Sequence, residues 1–229
     1  SISYFRRVQD VFEVPRSRLY HNALLTRSVQ GISDASGSGI NASLKKLTVQ
    51  QSKLSKLDAL DDFEILQNVK NTEALEYFNR LHRQWRSEVL PCKQKVATSW
   101  AHGDLTPWNL LRTIPKYTLI DFEKFGFSSC VVGYDLVHYF ISEFIFSQKA
   151  PEKEAFNKLT CDIELIWDDL EFQGKPDLPI LISLVLLGYL YVALGSGEKI
   201  IEYKSLYQTV DIFLQALDEK KEAKNEKFS

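Results

Sequence analysis

The sequence predicts an α+β fold in which short strands come first and long helices follow. Apolar, strand-like runs and Gly/Ser-rich stretches occupy the early part of the chain, whereas apolar residues recur at helical spacing after Gly133. The composition, with 45% hydrophobic and 25% charged residues, is that of an ordinary globular protein. Disordered and collagen-like chains are thereby excluded.

The N-terminal region is expected to hold two strands, a loop and a helix. The runs Val11–Val14 and Ala23–Val29 predict the strands, with a polar turn over 17–22 between them. The Gly/Ser-rich stretch 28–43 predicts a flexible loop. Leucines at near-helical spacing then predict a helix over 41–60.

The rest of the chain is predicted to be mainly helical. An apolar stripe indicates a helix over Thr72–Val89, with Asn71 or Thr72 as its cap and Pro91 after its end. A short strand is predicted at Tyr117–Ile120. The later helices are expected over 135–147, 152–172, 178–195 and 205–222.

The run Leu178–Leu194 carries no charged residue and is just shorter than a typical membrane span. Pro179, Ser183 and Gly188 interrupt it, and charged residues flank it. This pattern favours a helix buried on all sides in a protein core, with a membrane span as the alternative.

Charge and cysteine content restrict the partners and the compartment. The 28 Lys and Arg against 30 Asp and Glu give a formal charge of −2, which offers no general attraction for nucleic acid or an anionic membrane. Cys92, Cys130 and Cys161 are odd in number and too widely spaced for a zinc site. With no signal peptide at the start, the sequence predicts a cytoplasmic protein in a reducing compartment.

Candidate chemistry is concentrated in the loop 102–109, with the sequence HGDLTPWN, and in the segment IDFE that follows the predicted strand. The loop contributes the Asp104 carboxylate and the Asn109 amide. Asp121 and Glu123 are two residues apart, so in extended chain their carboxylates face the same side. Converging oxygen groups of this kind are the ligands that Mg²⁺ prefers.

The same groups meet the requirements of phosphoryl transfer, in which an Asp accepts the hydroxyl proton while an Asn and a second Asp hold magnesium against the phosphates. The HGDxxxxN loop followed by IDFE resembles the aminoglycoside phosphotransferase and choline kinase-like family, which has the protein-kinase-like fold. The resemblance implies a mostly helical, kinase-like C-terminal lobe. The specific motifs that carry it are confined to the stretch 102–136.

The resemblance also implies a role for each motif residue. Asp104 would be the catalytic base, and Asn109 and Asp121 would bind the nucleotide through Mg²⁺. Glu123 would be a further metal group. His102, and Asp135 in the Gly-Tyr-Asp-Leu segment 133–136, would brace the loop.

The N-terminal lobe of this family is mostly missing from the sequence. Residues 1–27 contain no Gly-rich turn followed by a Lys on a strand, the pair that covers and binds ATP phosphates. We therefore expect residues 1–31 to be a remnant of that lobe and its hinge strand, and 32–229 to be the C-terminal lobe. With Ser at position 1 and no Met, the chain is expected to be part of a longer kinase; a non-catalytic binding module is the alternative.

The expected reaction is Mg²⁺-dependent transfer of the γ-phosphate of ATP, or alternatively GTP, to a small-molecule hydroxyl. An aminoglycoside, choline-like or sugar-like acceptor is implied by the resemblance. Acidic residues around Trp167 in the helix 152–172 could hold a cationic acceptor, although a solvated helix face is the favoured explanation for them. Trp108 is a candidate wall of the acceptor pocket, with packing beneath the loop as the equal alternative, and His138 is expected to be a packed helix residue.

Overall fold

The computed structural model divides the chain into two compact units, which we call the strand unit and the helical unit. The strand unit comprises 1–55, 95–143 and 166–176, and the helical unit comprises 56–94, 144–165 and 177–229. The structure describes residues 17–20, 23–26, 32–33, 43–45, 48, 53–56, 69–88, 95–99, 101–113, 116–120, 130–147, 150–196 and 202–226.

Eight short strands form three small sheets. All residues of these strands belong to the strand unit except Lys56, the last residue of β4. One sheet pairs β1 with β2, the second has the order β3-β6-β7, and the third has the order β4-β5-β8. The pairings β1–β2, β3–β6, β6–β7 and β5–β8 are antiparallel. The strands are β1 Ser17–Tyr20, β2 Ala23–Thr26, β3 Ile32–Ser33, β4 Lys53–Lys56, β5 Lys95–Ser99, β6 Leu110–Thr113, β7 Lys116–Leu119 and β8 Cys130–Val131.

Long helices make up most of the remaining described residues. They are α1 Thr72–Glu88, α2 Tyr134–Ser147, α3 Lys153–Asp168, α4 Leu178–Leu194 and α5 Glu202–Glu226. Residues 43–45 and 48 are also helical. A mainly helical chain with small antiparallel sheets is what the sequence predicts for an α+β protein, and the five predicted helices from residue 72 onward are confirmed.

The core of the helical unit forms where α1, α4 and α5 pack against one another. Helix α4 is apolar on every side, and twelve of its residues are buried. Asn71 caps α1, because its Oδ1 accepts a hydrogen bond from the Ala74 amide at 3.0 Å. The same side chain donates from Nδ2 to the Tyr207 hydroxyl at 3.1 Å, which ties the start of α1 to α5. No helix among the described residues is both long and apolar enough to cross a bilayer.

Three predicted elements differ from the structure. The stretch 28–43 was predicted as a flexible loop, but Ile32–Ser33 within it is a strand because it pairs with β6. Ser17–Tyr20 is a strand where a polar turn was predicted, because Tyr20 pairs with Ala23 and only two residues remain for the connection. Lys53–Lys56 is a strand where the helix over 41–60 was predicted, since β4 joins β5 in a sheet and this pairing outweighs a weak leucine periodicity. The predicted strand Val11–Val14 lies outside the described residues.

Candidate functional site

The candidate site lies in the strand unit, where the loop after β5 meets the start of α2. Strands β5 and β8 pair with Thr98 opposite Val131, and the Val132 amide donates to the Ala97 carbonyl at 2.8 Å. Because α2 begins at Tyr134, this pairing brings the first turn of the helix to the loop that starts at Ala101.

Asp135 binds the beginning of the loop through two hydrogen bonds. Its Oδ2 accepts from the His102 amide at 2.8 Å, and its Oδ1 accepts from the Gly103 amide at 3.0 Å. Gly103 has a φ of +81°, a conformation that residues with a Cβ rarely adopt. The left-handed turn at Gly103 thus presents two consecutive amides to one carboxylate, which lies in the first turn of α2 where negative charge is favourable.

His102 connects the loop to the end of β7 and is fully buried. Its Nε2 lies 3.1 Å from the Ile120 carbonyl oxygen, and its Nδ1 accepts a hydrogen bond from the Asp104 amide at 3.3 Å. A carbonyl oxygen only accepts, so Nε2 carries the proton and Nδ1 carries the lone pair. His102 is therefore held as the neutral Nε2–H tautomer.

Asp104 and Asn109 are joined directly within the loop. The Asn109 Nδ2 donates to the Asp104 carbonyl at 2.9 Å. Thr106 caps the short 3₁₀ turn Pro107–Asn109. The Asn109 amide donates a hydrogen bond to the Thr106 Oγ1 at 3.3 Å and to the Thr106 carbonyl oxygen at 3.1 Å. The Asp104 side chain is 22% exposed, so its carboxylate reaches solvent from an otherwise fixed loop.

The same loop is attached to the strand that precedes the predicted metal segment. The Ile120 amide donates to the Asn109 carbonyl at 2.9 Å, and β6 pairs with β7 through Leu110 opposite Leu119. Asp121 follows Ile120 directly in the chain. Asp121 and Glu123 themselves lie outside the described residues.

The orientation of Asn109 fits a magnesium ligand. Because its Nδ2 is committed to the Asp104 carbonyl, its Oδ1 points the other way, and no described residue donates a hydrogen bond to that oxygen. The described residues contain no group of three or more His, Cys, Asp or Glu that could hold a metal ion. Asp121 and Glu123 are not among the described residues, and Asn109 is not one of these four residue types.

Sequence reasoning missed three contributions to the loop. Thr106 caps the 3₁₀ turn, and a Thr directly before a Pro is the signal that could have identified it. Leu105 is fully buried, and its carbonyl lies 3.0 Å from the His138 Nδ1. His138 is buried as predicted, but its contact with the loop has no local signal, because 33 residues separate it from Leu105.

Two aromatic residues differ in their availability to a ligand. Trp108 is 45% exposed on the loop beside Asn109. Trp167, in contrast, is buried and donates from Nε1 to the Pro176 carbonyl at 3.1 Å, while the Lys175 ammonium lies 5.3 Å from its ring centre. Trp167 therefore offers no open face to a cationic acceptor, whereas Trp108 does expose aromatic surface.

Burial controls the ionisation of two groups in this unit. Burial raises the pKa of the Cys130 thiol far above its ordinary value, and the nearby charge of Asp135 raises it further. Burial also raises the pKa of Glu143 on α2. A thiol held in its protonated form is a poor nucleophile.

Comparison of the chain with protein-family models, with curated proteins and with solved structures finds no match in any of the three.

Proposed function

We propose that this chain carries the catalytic loop of a kinase-like phosphotransferase that moves the γ-phosphate of ATP, or GTP, to a small-molecule hydroxyl. The observation that carries the proposal is the hydrogen bond from Asn109 Nδ2 to the Asp104 carbonyl, together with the bond from the Ile120 amide to the Asn109 carbonyl. These bonds support the inference that Asp104, Asn109 and the chain leading to Asp121 lie close together.

Each group in the loop has a role that suits its contacts. Asp104 would accept a hydrogen bond from the hydroxyl group that receives the phosphate. It would take the proton of that hydroxyl late in the reaction, as a loose transition state requires. Asn109 Oδ1 would ligate Mg²⁺ with Asp121, and Glu123 would supply a further oxygen. The bound metal would neutralise charge on the phosphates. His102 and Asp135 fix the backbone on which Asp104 is carried, through the contacts described above.

The acceptor would approach a solvent-accessible part of the loop, because the Asp104 side chain is 22% exposed and Trp108 is 45% exposed. An exposed aromatic ring on the same loop as a carboxylate suits a small polar acceptor, including a cationic one. This reasoning supports Trp108, in place of Trp167, as the aromatic contact of the acceptor.

The proposal is tested by isothermal titration of ATP into the wild-type chain, with and without Mg²⁺, and into Asp121→Asn, Asp104→Asn and Asp162→Asn. We expect metal-dependent binding to the wild type and to Asp104→Asn, and its loss in Asp121→Asn. Asp162 is exposed on α3, so its variant is the matched control for removal of one carboxylate charge.

Absence of binding in every condition would contradict the proposal for this chain. Binding followed by no phosphate transfer to water or to any hydroxyl compound would favour the non-catalytic binding module. If transfer is found, Asp104→Asn should abolish it while ATP affinity stays within about twofold of wild type, since Asp104 is assigned to the hydroxyl and not to the nucleotide.

A further inference from the structure

His138 lies against the candidate catalytic loop from the helix side. Its ring is buried, and its Nδ1 lies 3.0 Å from the Leu105 carbonyl oxygen. On the opposite edge of the ring, Nε2 lies 3.8 Å from the Asp104 Oδ1. The Tyr134 ring, one helical turn earlier on α2, packs against the imidazole with ring centres 5.5 Å apart.

The partner of Nδ1 determines the state of the ring. A carbonyl oxygen cannot donate, so the contact with Leu105 requires a proton on the His138 Nδ1. In the neutral ring, Nε2 then carries the lone pair and faces the Asp104 carboxylate. Protonation places an N–H at Nε2 and brings opposite charges together at this distance.

His102, on the other side of the loop, has the reverse arrangement. Its Nδ1 accepts from the Asp104 amide and its Nε2 donates to the Ile120 carbonyl, so addition of a proton would cost one of these two bonds. When neutral, His102 therefore carries its proton on Nε2, whereas His138 carries its proton on Nδ1 and directs Nε2 at Asp104. The two histidines therefore differ in which ring nitrogen carries the proton, and both can be observed in the same molecule.

We propose that His138 is a positioning residue that sets the direction of the Asp104 carboxylate: its Nδ1 donates to the Leu105 carbonyl, and its Nε2, once protonated, forms an ion pair with the Asp104 Oδ1 3.8 Å away. The assignment of Asp104 as the base rests on the proposed phosphotransferase function, whereas the pairing itself does not. The titratable groups described on the two contacting elements are His102 and Asp104 of the loop and, besides His138 itself, Tyr134, Asp135, Tyr139 and Glu143 of α2. Asp135 is already engaged by two loop amides, which leaves Asp104 as the carboxylate facing Nε2.

The pairing is tested by nuclear magnetic resonance of the full chain labelled with ¹⁵N-histidine. The chain has four histidines, so each imidazole can be assigned by replacing one histidine at a time. We expect His138 to show the Nδ1–H tautomer when neutral and His102 to show the Nε2–H tautomer. In Asp104→Asn the pKa of His138 should fall by about 1, because the carboxylate that stabilises the imidazolium is gone.

The control for this experiment is the tautomer of His102 in the same spectra. Asp104→Asn keeps the backbone amide from which the His102 Nδ1 accepts a hydrogen bond, so the His102 tautomer should not change. An unchanged His102 tautomer shows that the loop is intact. An Nε2–H tautomer at His138 would overturn the proposal. So would a His138 pKa that is the same in wild type and in Asp104→Asn.

Two conservative variants separate the anchor from the pairing. His138→Asn keeps an amide N–H near the Nδ1 position and loses the group that reaches Asp104, whereas His138→Gln extends a neutral N–H toward Asp104. If Mg-ATP hydrolysis is measurable, we expect kcat to fall about tenfold or more in His138→Asn with little change in the KM for ATP, and partial recovery in His138→Gln. Equal rates in the two variants would argue against positioning. Failure of Mg-ATP to bind would count against the phosphotransferase function and leave the imidazole spectra to decide the pairing.

Discussion

At the scale of single residues, the candidate site depends on donors and acceptors matched one to one. Asp135 offers two carboxylate oxygens to the amides of His102 and Gly103, and each amide receives one of them. Hydrogen bonds to a charged group contribute more than neutral ones, and a buried amide left without an acceptor is costly. A carboxylate is thus required here for a chemical reason, and an isosteric amide is not equivalent.

We therefore predict that Asp135→Asn lowers the free energy of unfolding by about 3 kcal/mol, because the new NH₂ group faces an amide that also donates. Urea denaturation followed by circular dichroism measures this change. The control is Asp162→Asn at an exposed position of α3, which should stay within about 0.5 kcal/mol of wild type. Equal stability of Asp135→Asn and wild type would show that the carboxylate does not hold the loop.

The cysteines give a second prediction at this scale. With Cys92 replaced by serine, two thiols remain: Cys161, which is exposed on α3, and Cys130, whose pKa is raised by burial. Only the thiolate reacts with a disulfide reagent, so at pH 8 Cys130 should react more than about tenfold more slowly than Cys161. Time-resolved absorbance with 5,5′-dithiobis(2-nitrobenzoate) measures both rates, and two fast, equal phases would contradict the raised pKa of the Cys130 thiol.

At the scale of elements, Gly174 controls how the segment after α3 meets strand β5. Its φ is +75°, and its carbonyl accepts a hydrogen bond from the Ala97 amide at 2.7 Å. A Cβ at this position would collide with the Leu54 side chain and lie 3.0 Å from the Ala97 nitrogen. Only glycine satisfies both the backbone angle and the close approach to the strand.

Gly174→Ala should therefore destabilise the protein by about 2–3 kcal/mol, through backbone strain and displacement of β5. Gly195→Ala is the matched control, since Gly195 has a φ of −81° and a Cβ there would meet only the Val192 carbonyl oxygen at 3.8 Å. That variant should be neutral or more stable by up to about 1 kcal/mol, because alanine restricts the unfolded chain. Thermal unfolding of the two variants side by side tests the difference.

Elements also show what could be predicted from the sequence and what could not. Helix α1 was placed correctly at its first residue and to within one residue at its end, because its apolar stripe and its cap lie within one continuous segment. Strand β3 has only two residues, and its existence depends on pairing with Leu111 and Arg112 far along the chain. The loop residues were found through a motif, whereas the contact of His138 with Asp104 depends on the tertiary fold alone.

At the scale of the whole molecule, the apolar helix α4 is central to the packing of the helical unit. A helix without a polar face is stable in water only when most of its surface is buried, and α1 and α5 both pack against α4, twelve of whose residues are buried. The uncharged run that suggested a membrane span is thus accounted for by burial within the protein. Its interior positions should be among those most sensitive to loss of volume.

Leu187 is fully buried in α4, whereas Val192 on the same helix is 53% exposed. Leu187→Ala should lower the free energy of unfolding by about 2–5 kcal/mol, because it removes buried apolar surface and leaves a cavity. Val192→Ala should change it by less than about 0.5 kcal/mol. Guanidinium denaturation measures both values, and a small effect at Leu187 would indicate that the helix is not packed as described.

The order in which the two units alternate along the chain has a consequence for synthesis. Helix α1, in which Leu81 and Trp85 are buried, packs against α4, which begins 90 residues after α1 ends at Glu88. At ordinary translation rates the ribosome takes about 5–20 seconds to make that interval. During that time the nascent chain displays an apolar helix surface without its partner, and we expect chaperones to bind there until α4 has emerged.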